Sequence, residues 1–467
     1  MEMNDRIFIN EKITNILIKF SIPSIISLLV SELYNTINTV FVGHYIGPNA
    51  IAALTVAFPI QRFLTSLGLL IAVGASTYVS RSLGEKNSFQ IRKTIINSFA
   101  ISLIFMLIIP LTILIFKSSL IYKLGASNVT YALTDKYIVI ILLGSVFQCL
   151  ATVACYIMTS LGNTRVTLYA NSIGAILNVI INYILVANYE IGIIGSAIAT
   201  VVSQIISFTF VFYNFREVFK HFEIKLSINS ITADLNKGII KDIMSIGFST
   251  FIIEVSDAIV AVVLNNLLIS IGGDTAIIVI GVVTRISMFM FIAIIGISSA
   301  MQPIVAFNFG AGELNKVKEI VLISIKSVTI ISVVFAALLT LFSNEVIGFF
   351  LNDKEILYLA VKALRICVSL LPLVGVYYIV IYYYQAIGEA KKGFLLSIFR
   401  QLVAFIPLAL MLVQILGAIG AWIAYPVSDA ISVLLSLYLL NRTLKKEVSP
   451  GKETKINVLN NRESCLE

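Results

Sequence analysis

Charge is what this sequence has least of. Asp, Glu, Lys and Arg make up 12% of its 467 residues, against about 25% in an ordinary soluble domain. Histidine is nearly absent too: His44 and His221 are the only two, far apart and both expected in loops, which excludes a histidine-based metal centre. The four cysteines, Cys149, Cys155, Cys367 and Cys465, show no CxxC or other metal-ligand spacing and read as buried thiols. No soluble stretch is long enough to form a domain, so the net charge of +8 is not the basic face of a nucleic-acid-binding module. No nucleophile–base or metal constellation marks an enzyme, and no cofactor is expected. The segment from Met1 to Lys12 is polar and mixed in charge, and the first apolar run is long enough to span. A cleavable signal peptide is therefore not expected.

What the sequence has in abundance is apolar length. Hydrophobic residues are 58% of the chain, in runs that recur from end to end. A spanning helix needs roughly 20 such residues, and in lipid every backbone polar group must be paired within the segment. The runs are continuous rather than alternating at period two, so helices are expected rather than a barrel. The fold class is all-α integral membrane, with about twelve transmembrane helices. They fall roughly at 16–40, 50–79, 93–116, 136–160, 166–186, 192–214, 242–270, 276–307, 319–343, 357–386, 394–413 and 417–440.

Loop charge gives an orientation. Connections after even-numbered helices carry Arg81, Lys86, Arg92 and Lys93; Arg216, Lys220, Lys225, Lys237 and Lys241; Lys316 and Lys318; Lys391 and Lys392; and Arg442, Lys445 and Lys446. Those after helices 1, 5, 7 and 11 carry none, whereas Lys117, Lys123 and Lys354 blur the pattern after helices 3 and 9. Positively charged loops stay inside, so both termini are expected in the cytoplasm and His44 outside.

The chain also repeats itself. Ile191 to Gln204 reads like Leu416 to Asp429, Leu161-Gly162 like Ile387-Gly388, and Arg216 corresponds to Arg442, all at an offset of about 225 residues. Ser82 to Asn87 resembles Gly310 to Asn315 at a similar spacing. So long a period is not a solenoid. It predicts two six-helix lobes, 1–215 and 242–442, joined by a cytoplasmic linker 216–241 and followed by a polar tail 443–467. Six is an even number, so the lobes share an orientation and a pseudo-twofold axis lies along the membrane normal. Two such lobes suggest a transporter that rocks about a site between them. A channel would more naturally show a filter loop.

An ionisable residue inside a span costs roughly 2.5–3.5 kcal/mol or more, so each needs a reason. The candidates are Glu32, Arg62, Glu254, Asp257, Arg285 and Asp429. Counted from Lys241, Glu254 lies roughly 20 Å along its helix, and Asp257, three residues on, shares its face. Two carboxylates so placed suit a proton carrier or a Na⁺ site; the plainer reading is an ion pair with Arg285 or another basic residue. Asp429 sits midway along helix 12, where the repeat places Gln204. Glu32 is followed by Tyr34, Asn35 and Asn38, a polar stripe on helix 1, and Asn178 and Asn182 lie one turn apart on helix 5. Hydrogen bonding between helices would explain the amides equally well. Prolines inside spans, among them Pro23, Pro59, Pro303 and Pro372, permit bends.

Several stretches carry a resemblance. Glu32 to Gly43, Ala52 to Pro59 and Val73 to Arg81 look like the first two helices of the multidrug and toxic compound extrusion (MATE) exporters. Gly296 to Ala311 is similar to their helix 8, and Gln385 to Gly388 resembles the end of their helix 10. The likeness runs from about Phe20 to Arg442 and is nearest the bacterial branch with the DinF-like and MepA-like exporters. It implies export of cationic or amphipathic drugs, driven by inward H⁺ or Na⁺. It also implies acids on helices 1 and 5, where this chain has Asn38 and Asn182. Glu254 resembles the helix 7 glutamate of the NorM-like branch, and Asp429 matches an acidic position on helix 12 of MepA-like members.

Cation coupling is accordingly expected at Glu254, with Asp257 beside it, and with Glu32 and Asp429 as further candidates. Tyr34, Asn35, Asn38, Asn178, Asn182, Arg285 and Gln302 are expected to line the cavity. The expected partners are toxic organic cations or other small-molecule drugs and the lipid bilayer of the cell membrane, with the protein acting as a monomer. The alternative is a flippase for lipid-linked sugars from the same superfamily, which would favour cationic cavity residues.

Overall fold

The computed structural model describes residues 8–9, 11–224, 234–351 and 353–447. The expectations that fall on residues 225–233 of the linker and 448–467 of the tail, Cys465 included, lie outside the described residues, as does the side chain of Asn35. Among the described residues the chain is helical nearly throughout and has no strand.

The helices are α1 (Ile13–Tyr45), α2 (Pro48–Gly84), α3 (Ser88–Lys123), α4 (Asn128–Ser160) and α5 (Thr164–Asn182), which runs on as a π-helical segment, Tyr183–Asn188. Then come α6 (Ile193–His221), α7 (Lys237–Gly310), α8 (Leu314–Leu341), the short α9 (Ser343–Gly348), α10 (Lys354–Val368) and α11 (Leu371–Ala386). Last are α12 (Ala390–Ile398), a second π-helical segment (Phe399–Phe405), α13 (Ile406–Leu416) and α14 (Ala418–Glu447). Eleven stretches are long and apolar enough to cross a membrane, or twelve if α10 and α11, bent by 45° at their junction, form one broken span. Pro372 lies in the first turn of α11, at that bend. The protein is a multi-pass membrane protein.

Most helices outrun the apolar stretches that announced them. α3 begins at Ser88, capped by the Asn87 side chain, which accepts from the Gln90 N–H. α4 begins at Asn128 behind a Ser127–Thr130 capping box. Hydropathy marks where lipid lies, whereas caps mark where backbone hydrogen bonding stops.

The break expected after about residue 270 is absent: α7 is helical for 74 residues and holds two spans, Lys237–Leu268 and Ile278–Gly310. Straight, it would measure about 110 Å, several times the thickness of a bilayer core. It instead doubles back, because both its ends pack on one end of α2. A Cβ on Gly74 would fall 2.0 Å from the Ile243 carbonyl oxygen, and one on Gly84 would fall 2.0 Å from that of Phe307. Reciprocally, a Cβ on Gly247 would meet the Leu70 carbonyl oxygen at 1.7 Å and one on Gly310 that of Arg81 at 2.2 Å. These crossings bring backbone against backbone and only glycine fits them.

Two hydrophobic cores result. One holds Val42, much of α2 to α6 and the start of α7 as far as Ile243. The other runs from Ile253 to Leu440 and takes in the start of the chain, with Phe8 stacked on Phe307 at 4.6 Å between ring centres. Turns with positive φ recur at the repeat spacing: Lys86 (57°) with Gly312 (77°), Gly162 (92°) with Gly388 (77°), and Gly192 (71°) with Gly417 (64°).

Where α2, α7 and α11 meet, a buried polar chain ties the two cores together. The Gln302 amide donates to the Thr77 hydroxyl (2.9 Å) and to the Gln385 carbonyl oxygen (3.1 Å), and Gln385 donates to Thr250 (3.0 Å). Arg81 donates to the Ala386 carbonyl (3.3 Å) at the same end.

Candidate functional site

Polar side chains deep in the spans gather into two clusters. The first is made entirely of uncharged groups on α1, α5 and α6. Asn38 and Asn182 are both buried, and the Asn182 amide donates to the Asn38 carbonyl oxygen (3.2 Å) and to that of Asn178 (2.9 Å). Ser196 donates its hydroxyl to Asn38 (2.8 Å), and Asn178 donates to Thr200 (3.4 Å). The spacing of Asn178 and Asn182 by one turn puts both on the face of α5 that meets α1 and α6. Tyr34, partly buried, is one turn before Asn38 and on its side of α1.

Glu32 does not join this cluster. Six residues before Asn38, it points to another side of α1; it is partly buried and forms no ion pair among the described residues. Arg285 is exposed on the second half of α7 and pairs with no carboxylate among the described residues. Gln302 is buried at the junction described above and also borders a cavity of about 80 Å³, with Ser24, Ser27, Ser76, Tyr156 and Asn171 among its lining.

The second cluster is ionic. Glu254 on α7 receives Arg62 of α2 at 3.3 Å, so the basic partner of the carboxylate pair is Arg62 and not Arg285. Asp257, one turn further, accepts a short hydrogen bond from the Gln401 amide. Arg400 donates its Nε to Asp429 on α14 at 2.8 Å; Arg400 is 8% exposed and Asp429 1%. The Arg400 guanidinium also lies 5.5 Å from the Phe291 ring centre and 5.9 Å from that of Tyr378, within cation–π reach.

Arg400 and Gln401 are the residues that sequence reasoning passed over. They stand near the start of the apolar run expected at 394–413, where an arginine reads as an interfacial residue. The π-helical segment carries both. Neighbours on a helix point about 90–100° apart, so one reaches α14 while the other reaches α7. The available signal was a charged residue inside one apolar run facing an unpaired Asp429 in the next.

A helical bundle spanning the membrane throughout, in two cores with ionisable groups buried between its spans, defines a polytopic membrane protein of the transporter kind. The chain belongs to the MatE family, whose model matches residues 23–184 and 246–411. It is 27% identical to the multidrug export protein MepA of Staphylococcus aureus, over 92% of this chain and 94% of that protein. It is 26% identical to the MepA of Staphylococcus saprophyticus, over 91% of this chain and 93% of that one. Its fold is that of an outward-facing multidrug resistance MATE family transporter of the MOP superfamily, with a TM-score of 0.88 at 24% identity over 94% of this chain and 98% of the other. A MOP superfamily transporter from Pyrococcus furiosus, described as having a binding pocket of reverse polarity, matches with a TM-score of 0.86 at 23% identity, over 94% and 98%.

Proposed function

We propose that this protein is a multidrug efflux transporter. It exports cationic or amphipathic small molecules across the cell membrane in exchange for inward H⁺ or Na⁺. The observation that carries this is similarity over nearly the whole chain to multidrug export proteins. The ionic cluster supports the coupling: carboxylates buried in spans are expensive and suit a bound cation that comes and goes. The lobes are residues 1–215 and 242–442, and they rock about the junction of α2, α7 and α11. The positive-φ turns recurring about 225 residues apart support that division, and the two cores follow it except that Phe8, Ile16, Leu17 and Phe20 pack in the second and Ile243 in the first. The polar chain through Gln302 and the glycine crossings would hold one end of the pathway shut.

With basic loops inside, both termini are cytoplasmic and His44 is outside. A single cysteine at position 44 should react with impermeant thiol reagents added outside; labelling only by permeant reagents would contradict this. The transporter works as a monomer. A lipid flippase is not favoured, because the intramembrane cluster carries more acid than base.

Proteoliposomes loaded with a cationic dye test the function. An imposed proton or sodium gradient should accelerate dye movement against the ion flow at least severalfold over gradient-free controls. Equal rates with and without either gradient would sink the antiport reading.

A further inference from the structure

One cation stands far inside a span with nothing in the protein to answer it. Lys326 is twelve residues beyond Leu314, about 18 Å along α8. It is exposed and pairs with no carboxylate among the described residues. The face on which it stands is turned to lipid. Val328, two residues on and so on the opposite side of the helix, packs on α11, where a Cβ on Gly375 would fall 2.8 Å from Val328 Cγ2. Ser324 and Ser332, one turn either side of Val328, are buried with it. On the Lys326 side, Leu322, Ile330, Val333 and Leu341 are at least half exposed, an apolar stripe at helical spacing. An ammonium held among such side chains is costly unless an anion reaches it. In a bilayer the anion at hand is a phospholipid phosphate.

Two more groups share that face. Glu319 comes seven residues before Lys326, about 10 Å toward the start of α8 and within roughly 20° of it around the axis. It is exposed and has no cationic partner among the described residues. Both side chains lean toward the N-terminal end of the helix, so they keep their separation instead of meeting as an ion pair. Thr329, three residues after Lys326 and its neighbour on the helix surface, is half-buried, and its hydroxyl forms no hydrogen bond among the described residues. The order along the helix is directional: a hydroxyl and an ammonium deeper in the bilayer, a carboxylate nearer the water.

We propose that this face of α8 binds an aminophospholipid, a lipid such as phosphatidylethanolamine whose headgroup carries both a phosphate and a primary ammonium. The phosphate accepts from Lys326 and Thr329, the headgroup ammonium donates to Glu319, and an acyl chain lies along Ile330 and Val333. In such a lipid the phosphate adjoins the acyl chains and the ammonium lies toward the water, so the headgroup runs in the same direction as the side chains that meet it. A lipid with phosphate alone would leave Glu319 facing an anion without a cation between them. With basic loops inside, the start of α8 is cytoplasmic, and the lipid belongs to the cytoplasmic leaflet; only this choice of leaflet rests on the topology given above.

The test uses the purified full-length protein, stripped of lipid in detergent, with phosphatidylethanolamine, phosphatidylglycerol and phosphatidylcholine of matched acyl chains. Retention of one lipid per protein is read by native mass spectrometry. Phosphatidylethanolamine should be held about fivefold more than either of the others, because choline has no N–H to donate and glycerol no charge to offer. Equal retention of the three, or a preference for phosphatidylglycerol, overturns the proposal. Lys326→Met should lower retention of phosphatidylethanolamine about tenfold and Thr329→Val about threefold. Glu319→Gln should abolish the advantage of phosphatidylethanolamine over phosphatidylglycerol while phosphatidylglycerol is held at least as well as before. An advantage that survives in Glu319→Gln, or retention unchanged in Lys326→Met, defeats the site. All three side chains are at least partly exposed, so these variants should fold. The exchange of Glu319→Lys with Lys326→Glu keeps composition and net charge but reverses the order, and the preference should vanish; a preference as strong as before would overturn the directional match. Dimers that form without lipid and separate in Lys326→Met would show a second copy covering this face, and would likewise overturn it. The leaflet is read separately, from the labelling of a cysteine at position 44: an inverted topology would move the lipid to the outer leaflet and leave every retention above unchanged.

Discussion

The amide cluster on α1, α5 and α6 and the acids, Arg400 and Gln401 of the ionic cluster, on α7, the π-helical segment after α12, and α14, occupy spans that correspond across the internal repeat; Arg62 of α2 joins the second from outside that set. Their chemistry nevertheless differs completely. In the first, Asn38, Asn178, Asn182, Ser196 and Thr200 bond one another without a formal charge, and the Asn182 carbonyl oxygen alone of these is left buried without a partner among the described residues. In the second, Glu254, Asp257 and Asp429 depend on Arg62, Gln401 and Arg400. The depths differ as well. Asn38 lies seven residues from the end of α1 at Tyr45, while Asp257 lies eleven residues from the end of its span at Leu268. The difference teaches how a duplicated scaffold divides its labour. A neutral network needs only complementary donors and acceptors and can be closed permanently. Buried charge needs counter-charge, and any imbalance is a demand for a ligand.

Four substitutions would break or sharpen this contrast, and the largest effect falls in the ionic cluster. Arg400→Met leaves Asp429 buried and uncompensated and should lower stability by about 3–5 kcal/mol, read from unfolding in detergent. Adding Asp429→Leu should recover most of it; failure to recover would mean Arg400 matters for its packing against Phe291 and Tyr378 rather than for its charge.

Next, Asn182→Asp imports a carboxylate into the neutral cluster, where no basic side chain is paired with it. The expected cost is about 1–3 kcal/mol at neutral pH. At acid pH, below the ordinary aspartate value near 3.9, the group is protonated in both folded and unfolded states and the cost vanishes. The penalty therefore grows as pH rises. A stability loss that is the same at pH 3.5 and pH 7 would mean that charge is not its cause.

Asn38→Ala should cost somewhat less, about 1–2 kcal/mol, by stranding the donors of Ser196 and Asn182. Its effect should be flat between pH 5 and 8, because no member of that cluster titrates there. A sloping profile would reveal an ionisable partner.

Smallest is Arg62→Gln. Its pair with Glu254 is partly open, with side chains 36% and 24% exposed, so the expected change in stability is under about 1 kcal/mol. A loss as large as that of Arg400→Met would erase the distinction between the open pair and the buried one.

Much of the fold was legible before any coordinate. Continuous apolar runs dictate helices in lipid because the backbone has no other partner there. Eleven of the expected spans appear as continuous helical stretches, two of them with a π-helical segment inside or at the end and two as halves of α7, and the twelfth is bent where Pro372 begins α11. The helix ends and the hairpin within α7 were not legible, since caps and backbone bends leave little trace in hydropathy. Of the expected site residues, the polar stripe and the paired carboxylates were visible as costly residues in apolar surroundings. Arg400 and Gln401 were not, because their register near the start of a run made them read as interfacial.

By itself the sequence determined the solvent, the helical class, the repeat and the roster of intramembrane polar groups, because each follows from local composition and the length of apolar runs. Only the tertiary structure decided who partners whom: that Arg62 and not Arg285 meets Glu254, that Arg400 neutralises Asp429, that Glu32 stands apart from Asn38, and that Asp257 is left with an amide alone. Pairing depends on helix rotation and on crossings as close as Gly74 against Ile243. Those are set by packing among residues hundreds of positions apart, which no local stretch of chain encodes.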